Sequence, residues 1–216
     1  MNLDEYRTMY PGDAEAPGWA AIDAALKTVY PHQVPLHFAP RVRAIFGGPD
    51  PLDGISAYRT GAGRDAHWHF VTYGFSNLYY DENAAGGDFS GKGFELTMRL
   101  LHERGEAGPP AWAMNMLQNI ARYVFNSGRG FEPGHYMPAN GPLRLGPPTA
   151  LMGAAFAIDP ELGVIETPHG EVKFLQLFGV TQDELDRMKN VDRDAVAVLD
   201  EHRRTNPLLI TDMTRS

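Results

Sequence analysis

The spacing of hydrophobic residues predicts two amphipathic helices with clear ends. Between Pro17 and Pro31, apolar residues recur at steps of three and four; they are Trp19, Ile22, Leu26 and Val29. A longer stripe of the same period follows Pro109-Pro110 and ends at Gly128; it consists of Trp112, Met116, Leu117, Ile120, Ala121, Val124 and Phe125. Proline before a helix and glycine after it are typical boundaries. The second segment is the strongest helix prediction in the chain.

Alternating apolar positions predict strands between and after these helices. The stretch His67 to Phe75 is bulky on both of its faces, so we expect a strand that is covered on both sides. In Phe94 to Leu100 the apolar residues alternate with Glu95, Thr97 and Arg99, which predicts one core face and one wetter face. The apolar runs Leu151–Ile158 and Val172–Phe178 predict two further buried strands.

Proline, glycine and capping residues divide the rest of the chain. Phe131 to Pro148 is rich in both turn formers and predicts a loop with one short extended piece at His135–Met137. Thr181 and Glu184 form a capping box that opens a helix ending near Lys189. We expect another helix from Asp192 to about Arg204 and a last strand at Leu208–Thr211. Without repeats or linkers, residues 1–216 are expected to form a single α+β domain, with a mixed, mostly antiparallel sheet flanked by helices.

Composition removes several classes of function. The 216 residues contain no cysteine, which excludes thiol nucleophiles and cysteine-bound metals. A formal net charge of −8, with no basic cluster, argues against a nucleic acid or an anionic membrane surface as partner. The acidic start of the chain does not resemble a secretory signal, and the longest apolar stretch, Ala150 to Ile158, is too short to span a bilayer. We therefore expect a cytoplasmic protein.

His67-Trp68-His69 is the clearest candidate for a chemical site in the sequence. Residues two apart on a strand share a face, so both imidazoles could reach one metal ion, as in a metal-dependent enzyme. A third ligand would have to come from His135, Glu95 or Asp81. The simpler interpretation, which we favour, is that both histidines are partly buried and hydrogen-bonded, because no partner stands at a recognised ligand spacing.

Other catalytic motifs are not found. None of the five serines lies in a Gly-x-Ser-x-Gly sequence. Gly61-Ala62-Gly63 and Gly91-Lys92-Gly93 lack the spacing of phosphate-binding loops and are interpreted as surface turns. From the residues alone, we expect neither an enzyme nor a cofactor.

Several of these segments resemble, in order, the signature blocks of the suppressor of fused family. The blocks cover about residues 30–213; they include Gly47-Gly48-Pro49-Asp50-Pro51-Leu52-Asp53, His67-Trp68-His69-Phe70, Tyr73-Gly74-Phe75-Ser76-Asn77-Leu78-Tyr79, Gly93-Phe94-Glu95-Leu96-Thr97-Met98-Arg99-Leu100, Ala121-Arg122-Tyr123-Val124-Phe125, Phe174-Leu175-Gln176 and Leu209-Ile210-Thr211-Asp212-Met213. The resemblance is to the amino-terminal half of the animal protein. It implies a non-catalytic module that sequesters a protein partner.

The resemblance also implies where a partner binds. In animals the two halves of the family member close on an extended peptide of a Gli-type transcription factor, which adds a strand between them. Tyr123 matches a tyrosine that lines this peptide groove. The acidic residue that pairs with the Gli peptide falls at His135 here, so we do not expect Gli binding itself. We expect instead an unidentified protein or extended peptide, bound near Tyr123, His135 and the loop Phe131–Pro142.

Stand-alone domains of this family occur widely in bacteria, where immunity proteins that neutralise polymorphic toxins have been suggested. An acidic surface suits the blocking of a basic toxin by charge complementarity. The resemblance therefore implies an immunity role as one specific form of partner binding.

Overall fold

The computed structural model describes residues 1–12, 14–190 and 195–216, and its strands form one mixed sheet. The strands are β1 (Leu36–Phe38), β2 (Gly54–Thr60), β3 (His67–Tyr73), β4 (Phe89–Leu101), β5 (Tyr136–Pro138), β6 (Leu151–Ile158), β7 (Val164–Thr167) and β8 (Gly170–Thr181). Their spatial order is β1-β2-β3-β4-β8-β6-β5, and β7 pairs with β8 outside this path. The β4–β8 pair is parallel and the other strand pairs are antiparallel. The expected mixed, mostly antiparallel α+β fold is confirmed.

Five helices accompany the sheet: α1 (Leu3–Met9), α2 (Pro17–Val29), α3 (Ala111–Ser127), α4 (Gln182–Asn190) and α5 (Val196–Arg203). Both periodic segments are helices as predicted, and α3 ends at Gly128, whose φ of +71° suits glycine. The capping box before α4 is present, with reciprocal hydrogen bonds between Thr181 and Glu184. The predicted helix start at Asp192 lies outside the described residues. The predicted last strand is reduced to a single bridge between Leu100 and Thr211.

The helices cover both faces of the sheet. On one face, α3 packs on side chains that alternate along β3, β4 and β6, such as Phe70, Leu96 and Phe156. The opposite face is covered by α2 beside β2 and β3, and by α4 and α5 beside β6 and β8. β3 is buried along its whole length, as its bulky alternation predicts.

The prediction of a wetter face on β4 is wrong. Glu95, Thr97 and Arg99 are each 0% exposed. Their face lies under the α2 side of the sheet, where polar groups from other segments satisfy them. A period of two assigned these residues correctly to one face, but it could not show that this face is also covered.

Candidate functional site

His67 and His69 are interior residues held by hydrogen bonds. Nδ1 of His67 lies 2.7 Å from the Asp65 carbonyl, and Nδ1 of His69 lies 2.7 Å from the Tyr30 hydroxyl. Nε2 of His69 lies 3.0 Å from Oδ2 of Asp159. Burial lowers the pKa of both histidines, since a charged ring would be desolvated. The interpretation of buried, hydrogen-bonded histidines is confirmed.

Asp159 is the centre of this buried polar network. Its carboxylate also accepts hydrogen bonds from the Thr97 hydroxyl and the Arg99 guanidinium. Burial alone would raise its pKa, but the adjacent His69 ring and the Arg99 charge together hold that pKa well below its usual range. Arg99, itself fully buried, also bonds Gln176 Oε1. These groups neutralise one another inside the fold.

The proposed third metal ligands are not brought to the histidines. Glu95 accepts four hydrogen bonds, from the Thr72 hydroxyl, the Gly74 amide, and the amide and hydroxyl of Ser76. Oδ1 of Asp81 accepts the Asn83 amide, and His135 is exposed on the loop before β5. Across the described part of the chain, no group of three or more histidine, aspartate and glutamate side chains could hold a metal ion.

Tyr123 and His135 lie on either side of the turn at Phe131 and Glu132. The Tyr123 ring is 44% exposed at the end of α3, and its centroid lies 6.0 Å from that of Phe131. The Glu132 amide donates to Nδ1 of His135 at 3.1 Å, so the exposed imidazole is fixed to the same turn. Phe131 is anchored in turn by stacking on Phe156 of β6 at 4.2 Å. Core packing therefore positions both residues at the turn that precedes β5.

β5 is an edge strand of the sheet, since among the described residues it pairs only with β6. The Phe156 amide donates to the His135 carbonyl, and the Ala139 amide donates to the Met152 carbonyl. Because such bonds alternate along an antiparallel pair, Met137 faces β6, while Tyr136 and Pro138 direct their backbone groups outward. Among the described residues, the Tyr136 amide and the carbonyls of Tyr136 and Pro138 therefore have no strand partner along this edge.

A cleft of about 230 Å³ lies next to the same turn. It is lined by Phe89, Gly91, Lys92, Gly93, Phe94, Phe131, Glu132 and Lys173. Gly91-Lys92-Gly93, whose composition predicts a surface turn, lines this cleft. It is instead a bulge within β4, at the register shift between Phe89 and Phe94. The two glycines around a lysine were its only sequence signal.

Comparison with known proteins agrees with this α+β architecture. The family model described as suppressor of fused protein matches residues 48–216, so the chain belongs to the suppressor of fused family. It is 38% identical to the suppressor of fused homologs of Homo sapiens and Mus musculus over 92% of its length. The matched region is 43% of each of those proteins, so the chain spans less than half of their length.

Solved structures show the same fold. A crystal structure of a Sufu–Fu complex contains a chain that aligns with a TM-score of 0.85 and 35% identity, over 94% of this chain and 92% of that one. Drosophila Suppressor of Fused aligns with a TM-score of 0.84 and 34% identity, over 95% of this chain and 52% of that one. A putative homolog from Neisseria gonorrhoeae shares the fold, with a TM-score of 0.60 at 14% identity over 92% and 95% of the two chains.

Among the described residues, no helix has the length and apolar character needed to cross a bilayer.

Proposed function

We propose that residues 1–216 act as one non-catalytic binding unit that captures an extended segment of a protein partner by adding it as a strand to β5. The single observation that carries this proposal is the edge of β5, which among the described residues has no strand partner besides β6 and which follows the turn that contacts Tyr123 and contains His135. An extended segment along this edge could bond the Tyr136 amide and carbonyl and the Pro138 carbonyl. Main-chain bonds of this kind supply affinity in strand addition, and side-chain pockets supply specificity.

The surroundings of β5 suit a firm docking surface. Tyr123 presents a half-exposed aromatic ring on a buried helix, and rigid aromatic rings are typical anchors of protein interfaces. His135 stands at the entrance to the strand with Nδ1 already bonded to the Glu132 amide. A bound segment would therefore meet preformed contacts, which lowers the entropy lost on binding.

The relatives support binding as the general activity. One matched crystal structure is of a Sufu–Fu complex, so a relative of 35% identity has been crystallised with a partner. For this chain the partner is a proposal, since the curated relatives are more than twice its matched length.

The more specific form of the proposal is that the domain is a cytoplasmic immunity protein that occludes a toxin. The formal net charge of −8 favours a basic toxin as partner, because opposite charges accelerate association and disfavour acidic competitors. A neighbouring gene for a large secreted protein with a toxin-like carboxy-terminal region would support this form. Co-expression with that region should then restore growth of the host cells, and a lack of protection would contradict it.

Capture of the partner tests the binding site. Tyr123→Ala and His135→Ala should weaken capture of the partner while leaving the melting temperature nearly unchanged. The matched controls are Phe46→Ala and His32→Ala, which truncate an exposed phenylalanine and an exposed histidine elsewhere. A large loss of stability in both site variants would make Tyr123 and His135 structural residues instead.

Hydrogen exchange tests the strand addition itself. In the complex, exchange of the outward Tyr136 amide should slow, because a partner carbonyl accepts its hydrogen bond. The Met137 amide, which faces β6, should exchange slowly with and without partner and serves as an internal control. Unchanged exchange at Tyr136 in a saturated complex would contradict strand addition at β5.

A further inference from the structure

Lys92 lies in the β-bulge of β4, and the proposed strand addition to β5 does not involve this bulge. The glycines on either side of it have φ values of +58° and +78°, a region that side chains disfavour. A Cβ on Gly91 would also lie 2.6 Å from the Phe75 carbonyl oxygen. The Lys92 amide donates to that same carbonyl at 2.8 Å, so the bulge is fixed to the neighbouring loop. Bulges often re-aim a side chain at a functional site.

Lys92 lines the cleft next to the turn at Phe131 and Glu132. Nζ of Lys92 lies 5.5 Å from the centroid of the Phe125 ring, within the range of a cation–π contact. Lys173, the second lysine of the lining, lies 2.9 Å from Oε2 of Glu132 and 5.8 Å from the Phe89 ring centroid. Among the described residues no carboxylate lies within 4.0 Å of Lys92. The cleft therefore carries one unneutralised positive charge in a protein of net charge −8.

The walls of the cleft are aromatic. Phe89 is 61% exposed, while Phe94 and Phe131 are buried residues that form its inner surface. A volume of about 230 Å³ admits one large side chain, since a cavity of roughly 150 Å³ holds a benzene molecule. The combination of an unpaired ammonium group and apolar walls suits an acidic residue next to an apolar one.

We propose that this cleft binds a carboxylate side chain of the protein partner, with Lys92 as its counter-charge and the neighbouring apolar side chain packed on Phe89 and Phe131. The proposal rests on the proposed function, from which it follows that the ligand is a segment of a protein. The carboxylate side chain forms an ion pair with Lys92 that replaces water, and the lysine is already oriented by the bulge. Such a segment carries an acidic residue within reach of β5, even where the partner as a whole is basic.

Capped dipeptides test the cleft without the partner. The probes are acetyl-Glu-Phe-amide, acetyl-Gln-Phe-amide and acetyl-phosphoserine-Phe-amide, titrated into the full chain and followed by the NMR shifts of the Lys92 and Glu132 amides. We expect saturable shifts with the glutamate peptide and affinity about fivefold higher than with the glutamine peptide, the size of an exposed ion pair. Lys92→Gln should remove this difference, while Lys27→Gln, which removes the same charge from α2, should leave it intact.

Several outcomes would overturn the proposal. They are equal affinity for the glutamate and glutamine peptides, no saturable shift up to about 20 mM, and an unchanged preference in Lys92→Gln. Markedly tighter binding of the phosphoserine peptide would assign the cleft to a phosphorylated segment instead. Because these measurements need no partner, carboxylate binding can succeed while capture at β5 fails, and the two failures are distinguishable.

Discussion

Acidification should destabilise the protein through His67 and His69 before most carboxylates titrate. Burial lowers the pKa of both rings in the folded state, whereas in the unfolded chain they titrate near pH 6.5. Their contribution to stability is therefore fully present above that unfolded pKa and is lost as the pH falls below it. At His69 burial is the main cause and outweighs the neighbouring Asp159 carboxylate, which favours the charged ring. Nδ1 of His69 lies 2.7 Å from the Tyr30 hydroxyl.

The size of the effect follows from proton linkage. If the folded protein takes up no proton on one ring down to pH 5, the unfolding free energy falls by about 2 kcal/mol per histidine between pH 7 and pH 5. The two rings together therefore account for up to about 4 kcal/mol. This is a large part of the roughly 5–15 kcal/mol that stabilises a typical domain. His37, whose pKa is also lowered by burial, adds to the same trend.

Urea unfolding at pH 5, 6 and 7 measures this dependence. His67→Gln and His69→Gln should each remove up to about 2 kcal/mol of the difference between pH 7 and pH 5, although both lower stability at pH 7. His32→Gln, which changes an exposed histidine, should retain the full dependence. An unfolding free energy that changes by less than about 0.5 kcal/mol over this range would refute the reasoning.

Other changes probe the rest of the fold. Glu95→Gln should cost about 3 kcal/mol in chemical denaturation, because the amide leaves some of the four donors without an acceptor; a neutral effect would contradict their role. Gly91→Ala should cost at least about 1 kcal/mol, and an unchanged melting temperature would argue against the bulge geometry. Phe174→Ala should cost about 3–5 kcal/mol by loss of core packing, and a loss below about 1 kcal/mol would show that its site collapses. Elemental analysis of protein purified without an affinity tag should find less than about a tenth of an equivalent of transition metal; one full equivalent would revive the metal-dependent enzyme.

The spacing of apolar residues predicted those elements in which apolar residues are buried and polar residues are exposed. The period of α3 and the alternation of β3 are set by residues that contact their neighbours in sequence, so these segments could be read directly. The burial of the polar face of β4 could not be predicted in this way. Arg99 donates a hydrogen bond to Asp159, which lies sixty residues further along the chain. A charged residue in an alternating strand indicates an exposed face by default. Only the three-dimensional pairing shows that a partner makes burial possible.

The sequence likewise indicated some features of the candidate site and not others. The family resemblance drew attention to Tyr123 and His135, and the proline-rich composition of the following loop indicated a short extended piece. The free edge of β5 could not be foreseen, since strand order depends on which strands meet across the sheet. The bulge at Lys92 could not be predicted for a related reason. A bulge is defined by the register of β4 against β8, and two glycines around a lysine look like any surface turn.

The polar groups that the sequence singled out for chemistry lie in the interior, and the exposed groups around β5 are of the kind that bind a chain segment. A general acid, a base or a metal ligand must keep an unsaturated atom within reach of a substrate. In the described part of the chain, His67, His69, Glu95 and Asp159 are buried and bonded to one another or to neighbouring groups. Among the described residues, the groups exposed at β5 and the turn before it include a strand amide, two carbonyls, the Tyr123 ring and the His135 imidazole, and Lys92 lines the adjacent cleft. Such groups are suited to recognition of a segment of chain.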